Sequence, residues 1–352
     1  MIPTRAIGLN HIYLDEHLDG FSNVAVGLLL RAVGHSLKVA YVDVTGSPKK
    51  FTNFLENLSL SSFFVRKFDR LYIETFVLRG DKVSKGIIPS VEFNTITKEI
   101  FWDEINKFDL VIFDGANLEQ ISNFKILNFL ENKNPTTESV FIFNNKKDFD
   151  EVKENFDLIS SYNYNKKSTF QSNKNIINIT GDGKGKSTFS FGYIVRRFIE
   201  KKDVKLVYFD KGGNYYGERV FFDALKDWSK RNISYGKFDY VATGASRFDG
   251  YKFRFENNSK DLSEAKEGLM LFKTALKKQT PVIGEELNTT IKTGLLNLYE
   301  VLDILKEINH EVLITGRYSP KEILEISDIV IEVKEIKHYS KNNQGVRKGI
   351  DF

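Results

Sequence analysis

IINITGDGKGKSTFSFGYIVRRFIEKKDVKLVYFDKGG, residues 176–213, is the stretch on which the fold turns. A short β-rich run, Asn175–Ile179, enters Thr180-Gly181-Asp182-Gly183-Lys184-Gly185-Lys186-Ser187-Thr188. An apolar helical stretch follows from about Thr188 to Glu200, and then a second β run ending in Asp210. Strand, glycine-rich turn and helix in that order are the context a phosphate-binding P-loop needs. Glycines at 181, 183 and 185 let the backbone curl and turn its N–H groups inward. The helix N-terminus adds the positive end of its dipole. Lys186 supplies a mobile cation for phosphate oxygens, and the Ser187 hydroxyl suits Mg²⁺. The pattern departs once from GxxxxGK[ST], with Thr180 where the first glycine would stand. Thr180 to Thr188 are therefore the expected triphosphate-binding residues.

Further along, Val282-Ile283-Gly284-Glu285-Glu286-Leu287-Asn288 reads as the end of a buried strand carrying acids, the place from which a carboxylate reaches a bound metal. Glu285 and Glu286 join Ser187 as expected metal ligands. Arg317, in Leu313-Ile314-Thr315-Gly316-Arg317, follows another β run, and its guanidinium fork matches phosphate oxygens. Arg196, in the helix after the loop, is a further candidate phosphate contact.

An earlier segment, LNHIYLDEHLDGFSNVAVGLLLRAVGHSLKVAYVDVTG at 9–46, repeats the same order of strand, turn, helix and strand and ends its second β run in Asp43. DLVIFDGANL at 109–118 resembles TPVIGEELN at 280–288, and residues 139–162 resemble 311–335. Blocks that keep their order at one large offset indicate duplication of a whole domain. Residues 1–159 are expected to form one copy and 176–352 the other. The polar stretch SSYNYNKKSTFQSNKN, 160–175, reads as a linker or arm. Each copy alternates strands with helices, so the expected fold is α/β: two P-loop-type (RecA-like) parallel-sheet domains in tandem, forming an intrachain pseudo-dimer that is monomeric as a chain.

In the first copy Phe21 stands against Lys186, Ser22 against Ser187, Gly115 against Glu286 and Asn145 against Arg317. Three charged positions are lost together, so this copy is expected to bind no nucleotide. Composition narrows the classes further. Without cysteine there is no disulfide, thiolate metal site or cysteine nucleophile, and the five histidines have no metal-site spacing. A net charge of +4 over 352 residues is no nucleic-acid signature. No apolar run is long enough for a membrane span, and the N-terminus has no leader pattern, so a cytoplasmic protein is expected.

The chain resembles the P-loop ATP:corrinoid (cob(I)alamin) adenosyltransferases. The resemblance rests on TGDGKGKSTFSFG at 180–192, FDKG followed by GER at 217–219, EELN at 285–288 and the run ITGRYSPKEILEISDIVIEVKEIKHYSKNNQGVRKGIDF at 314–352. It covers essentially all of 176–352, and LRAVGH at 30–35 resembles the P-loop helix of that family. The resemblance implies transfer of the 5′-deoxyadenosyl group of ATP to the reduced cobalt of a corrinoid, with Mg²⁺ as cofactor, triphosphate as product and a flavoprotein as candidate reductant. It also implies Lys186, Glu286 and Arg317 as the residues that bear on the reaction. There are two departures: Glu285-Glu286 where the family favours Asp-Glu, and Ala245 and Arg247 in place of an aromatic pair that packs against the corrin, with Phe248 one residue late. Tyr215, Tyr216, Tyr251, Phe253 and Phe255 are candidate substitutes for that pair. Two other readings stand beside the transferase: an ATP-dependent corrinoid-binding or regulatory protein without the transfer reaction, and a P-loop NTPase.

Overall fold

The computed structural model describes residues 8–16, 21–44, 49–60, 73–79, 82–87, 93–166, 175–213, 216–246, 254, 256–342 and 344–351. Gly20, Tyr215, Arg247, Phe248, Tyr251, Phe253, Phe255 and most of the expected linker, 167–174, lie outside the described residues. The chain divides into two compact units. One comprises residues 1–162, 217–224 and 335–352, and the other 163–216 and 225–334.

The first unit contains β1 (Asn10–Asp15), α1 (Asn23–Gly34), β2 (Val39–Asp43), α2 (Lys49–Leu60), β3 (Ile73–Arg79), β4 (Lys82–Ile87), β5 (Phe93–Ile96), α3 (Lys98–Ile105), β6 (Leu110–Ala116), α4 (Leu118–Asn123), α5 (Ile126–Asn132), β7 (Glu138–Phe143), α6 (Lys146–Val152) and the first part of β8 (Leu158–Lys166), to Tyr162. Its strands run in the order β8-β1-β7-β6-β2-β3-β4-β5. Pairing is parallel from β8 to β3, and an antiparallel β3-β4-β5 meander closes the edge. The inner strands β1, β2, β6 and β7 are almost wholly buried. They read as continuous apolar runs because helices cover both faces of a parallel sheet. Residues 160–166, expected to open the linker, instead continue β8, whose Ser160–Tyr162 pair with β1, Tyr162 opposite Asp15. The ladder hydrogen bonds and the burial of Ile159 and Tyr162 outweigh the polar composition of that stretch.

The second unit contains β9 (Asn175–Thr180), α7 (Lys186–Ile199), β10 (Val204–Tyr208), the C-terminal part of α8 (Gly217–Ser229), β11 (Phe238–Ala242), α9 (Ser259–Leu276), β12 (Val282–Glu285), α10 (Leu287–Lys292), α11 (Leu298–Lys306), β13 (Glu311–Thr315), α12 (Lys321–Ile326) and most of β14 (Ile329–Lys337). The strand order is β14-β9-β13-β12-β10-β11, all parallel. Matched in chain order, these six strands follow the same sequence as β8-β1-β7-β6-β2-β3 of the first unit. α7 starts two residues before the expected Thr188, at Lys186, with Gly185 as its left-handed N-cap (φ 118°). Arg196 and Arg197 close its last turn, where cations complement the helix dipole. α9 is started by a capping box between Asn258 and Asp261. Among the described residues no helix is long and apolar enough to cross a membrane.

Parallel strands end on one side, so β9, β10, β12 and β13 deliver their following loops to one edge of the second unit. In an open α/β sheet that edge is where ligands bind.

Candidate functional site

The loop after β9 is held by backbone alone at its turns. Gly181 has φ 102°, and a Cβ there would lie 2.3 Å from the Val333 carbonyl oxygen. The Gly183 N–H donates to that same oxygen at 2.8 Å. Any larger residue at 181 would both strain the backbone and strike β14. Thr180, the departure from the motif, accepts a hydrogen bond on Oγ1 from the Ser319 N–H at 3.2 Å. It thereby ties the start of the loop to the segment carrying Arg317.

Lys186 is buried, and its Nζ donates to the carbonyls of Gly181 (2.8 Å) and Gly183 (2.7 Å). Burial lowers its ammonium to about 8, and Arg317 adds repulsion, against the attraction of Glu286, Glu285 and Asp182. A polyphosphate would reverse that balance by supplying the opposite charge.

Glu285 ends β12 fully buried, and Ser190 donates to its Oε2 at 2.8 Å. Glu286 takes a left-handed backbone (φ 64°) as the N-cap of α10. For a non-glycine residue this costs about 1–3 kcal/mol. The conformation is fastened by its N–H donating to Thr315 Oγ1 (3.0 Å) and by Thr289 Oγ1 donating to Oε2 (2.6 Å). Thr289 Oγ1 also accepts from the Arg317 N–H at 3.0 Å, so one hydroxyl places both the acid and the arginine. Burial opposes the charged form of Glu286, but Lys211, Thr289 and Lys186 together hold its carboxyl below the usual range.

Lys211 is a residue that sequence reasoning passed over. Its Nζ donates to Ser187 Oγ (2.9 Å) and Glu285 Oε1 (3.2 Å) and lies 3.4 Å from Glu286 Oε1. Those are the three expected metal ligands, gathered around one cation. The available signal was the position of Lys211 in FDKG, just beyond a strand end. Thr289 and Ser190 carried no signal, since an isolated hydroxyl residue in a helix is ordinary.

The structure thus brings together Lys186, Ser187, Glu285 and Glu286, with the Arg317 backbone fixed beside them and its side chain exposed. Arg196 is placed apart: ten residues beyond Lys186 on α7, it lies about 15 Å along the helix axis at 1.5 Å per residue.

The stretch of the first unit that was expected to repeat the loop has other contents. Ser22 caps α1, and its N–H donates to Asp114 Oδ2 at 2.8 Å. Asp114 also accepts from the Tyr41 hydroxyl. Phe21, opposite Lys186 in the internal alignment, is buried and stacks on Phe51 with centroids 4.5 Å apart, and Tyr41 meets Phe51 edge-on at 5.5 Å. Gly115 (φ 78°), aligned with Glu286, shares its left-handed backbone.

Burial lifts the Asp114 carboxyl to about 7; Tyr41 and Ser22 pull it down, and Asp43 and Asp15 push it further up. With the folded value above the unfolded one, the folded state holds an extra proton between about pH 4 and 7. Stability from this group is therefore present in acid and lost as pH rises through that window. Asp114→Asn keeps an acceptor for Ser22 and Tyr41 and removes the charge. Its melting temperature should exceed that of the wild type at pH 8, with the gap closing toward pH 4 in calorimetry across that range. A gap independent of pH would show that Asp114 is ionised without cost.

Residues 172–352 match the model of the family described as ATP:corrinoid adenosyltransferase BtuR/CobO/CobP. Over 182 residues the chain is 31% identical to the corrinoid adenosyltransferase of Escherichia coli (strain K12), covering 50% of this chain and 85% of that protein. It is 27% identical over 183 residues to a corrinoid adenosyltransferase of Sinorhizobium sp, covering 50% and 79%. The corrinoid adenosyltransferase of Pseudomonas aeruginosa is 28% identical over 179 residues, covering 49% and 81%.

Proposed function

Since the chain belongs to the ATP:corrinoid adenosyltransferases and is a transferase, we propose that it moves the 5′-deoxyadenosyl group of ATP to the reduced cobalt of a corrinoid. The electron pair of cobalt(I) forms the Co–C5′ bond. The C5′–O bond to the triphosphate breaks, and its pair leaves with the triphosphate. Reduced cobalt is itself the nucleophile, so the protein's task is to place the nucleotide and neutralise a highly charged leaving group.

The observation that carries this reading is the convergence of Lys186, Ser187, Glu285 and Glu286 at the ends of β9 and β12. In this reading the loop from Thr180 to Thr188 wraps the phosphates with its N–H groups. Lys186 leaves the carbonyls of Gly181 and Gly183 for phosphate oxygens, and Arg317 closes over them from the Thr289 side. Arg196 was expected as a phosphate contact, but its place in the last turn of α7, about 15 Å along the helix from Lys186, sets it too far from the loop for that role. The hard oxygens of Ser187, Glu285 and Glu286 fit Mg²⁺, and they already accommodate one cation, the Lys211 ammonium. When bound, the metal would supply charge neutralisation at the triphosphate.

We also propose that the chain is a duplicated domain whose first copy, residues 1–159, has lost nucleotide binding and serves as a built-in partner to 176–352. The shared strand order, the Ser22–Asp114 contact and the left-handed backbone at Gly115 and Glu286 support it. So does the packing of 217–224 and 335–352, both from the family-matched half, within the first unit.

The test is anaerobic. With ATP, Mg²⁺ and chemically reduced cobalamin, the visible spectrum should shift to that of the adenosylated product, with triphosphate released and one ATP bound per chain by calorimetry. Two ATP per chain would overturn the built-in-partner reading. A second reading is favoured by one feature: Ala245, buried and small, stands where the resemblance expects an aromatic against the corrin. Tight ATP binding without product would favour a corrinoid-responsive regulator, and phosphate release from ATP alone would favour an NTPase.

A further inference from the structure

Lys211 takes no part in the proposed transfer beyond marking a cation position, yet its ammonium contacts Ser187, Glu285 and Glu286 at once. It follows Asp210, whose backbone is left-handed at φ 48°. Its own N–H donates to the Thr243 carbonyl at 3.2 Å, so the chain is anchored on the side away from the acids. Its side chain is 13% exposed. Nζ reaches Ser187 Oγ, Glu285 Oε1 and Glu286 Oε1 within 2.9–3.4 Å. Glu285 is fully buried, and a buried carboxylate requires a counter-charge. An ammonium and a divalent cation cannot share three oxygens at these distances, because like charges in a low-dielectric site repel strongly.

We propose that Lys211 is a positioning residue that holds the metal position as a displaceable counter-ion, so that a divalent cation enters this site together with nucleotide rather than before it. The inference rests on the assignment of Ser187, Glu285 and Glu286 to the metal. A lysine suits the role because its four-carbon stem lets the ammonium swing away while its backbone stays fixed. The incoming polyphosphate contributes oxygens to the metal and offers the displaced ammonium a new partner.

Mn²⁺ titration followed by its solution EPR signal tests this without turnover. Wild-type protein should bind Mn²⁺ tightly with ATP present and weakly without it. Lys211→Met removes the charge and should tighten nucleotide-free Mn²⁺ binding by about tenfold or more. Lys211→Gln, which keeps a donor for Ser187, should do the same and stands in if the methionine variant does not fold. Lys211→Arg keeps the charge and should remain as weak as wild type. If the neutral variants bind Mn²⁺ no better than wild type while ATP still recruits Mn²⁺, the counter-ion role is wrong and the metal assignment stands. If ATP recruits no Mn²⁺ to the wild type, the metal assignment itself fails and this inference with it.

Discussion

Lys186→Ala should abolish ATP binding while leaving the protein folded. In the structure its ammonium is satisfied by two loop carbonyls, Gly181 and Gly183, and in the nucleotide complex it would exchange them for charged phosphate oxygens. Charge-assisted hydrogen bonds contribute about 1.5–3 kcal/mol each, so losing two or so removes about 4 kcal/mol, roughly a thousandfold in Kd. The fold should tolerate the change because burial already disfavours the charged side chain, lowering it to about 8. The same burial makes affinity depend on pH. Above about pH 8 the free protein has lost this proton and must regain it to bind triphosphate, so wild-type affinity should fall by up to tenfold per pH unit, with proton uptake visible as buffer-dependent heat in calorimetry. An unchanged Kd for Lys186→Ala, with a normal circular dichroism spectrum, would remove the triphosphate-loop assignment.

The second large effect belongs to the first unit. Glu218 is fully buried and pairs with Arg31 at 3.1 Å, and Arg31 also donates to the Ile350 carbonyl at 2.7 Å. The backbones there are nearly in contact: a Cβ on Gly34 would lie 1.8 Å from the Gly217 carbonyl oxygen. Removing one partner of a buried pair leaves the other charge stranded, at a cost of about 3–5 kcal/mol. Glu218→Ala should therefore lower the melting temperature by on the order of 10 °C for a unit of this size. Glu218→Gln, which keeps an acceptor for the Arg31 guanidinium, should cost less. A loss within about 2 °C would show that the pair is solvated and that the tail carrying Ile350 is held by other contacts. Those contacts would include the buried Glu138, which is hydrogen-bonded to both His11 and Arg347 and stays below the usual carboxylate range: burial raises it, and its interactions with His11 and Arg347 outweigh the burial.

Motifs made of neighbours in sequence are legible from the residues alone. The stretch from Thr180 to Thr188 is contiguous in sequence, and its lysine ammonium bonds the carbonyls of the glycines just before it. The acid pair at 285–286 sits where a strand ends, and strands of this kind announce themselves by apolar runs. That Phe21 is no lysine was equally legible, though what Phe21 does was not, because its stacking partner Phe51 lies in α2. The reach of β8 into 160–166 was hidden because SSYNYNK is polar in composition. Its pairing with β1 supplies what composition withholds. The β3-β4-β5 meander carried no sign of its place at the sheet edge, because strand order is not written in any one strand.

By itself the sequence determined that this protein has an α/β architecture, that a glycine-rich turn stands between a strand and a helix at 180–188, and that its second half carries the motifs of the corrinoid adenosyltransferases. Those properties are carried by spacing within short segments, where covalent geometry leaves few alternatives. Only the tertiary structure decided that Lys211 sits among Ser187, Glu285 and Glu286, that Thr289 fastens both Glu286 and Arg317, and that Glu218 and the C-terminal tail close on Arg31. Apart from the Thr289–Glu286 bond, these contacts join residues far apart in the chain, Lys211 and Glu285 by 74 positions and Arg31 and Ile350 by 319. Such pairings follow from the order in which parallel strands assemble and from burial that forces each charge to find its opposite, and no local pattern encodes either.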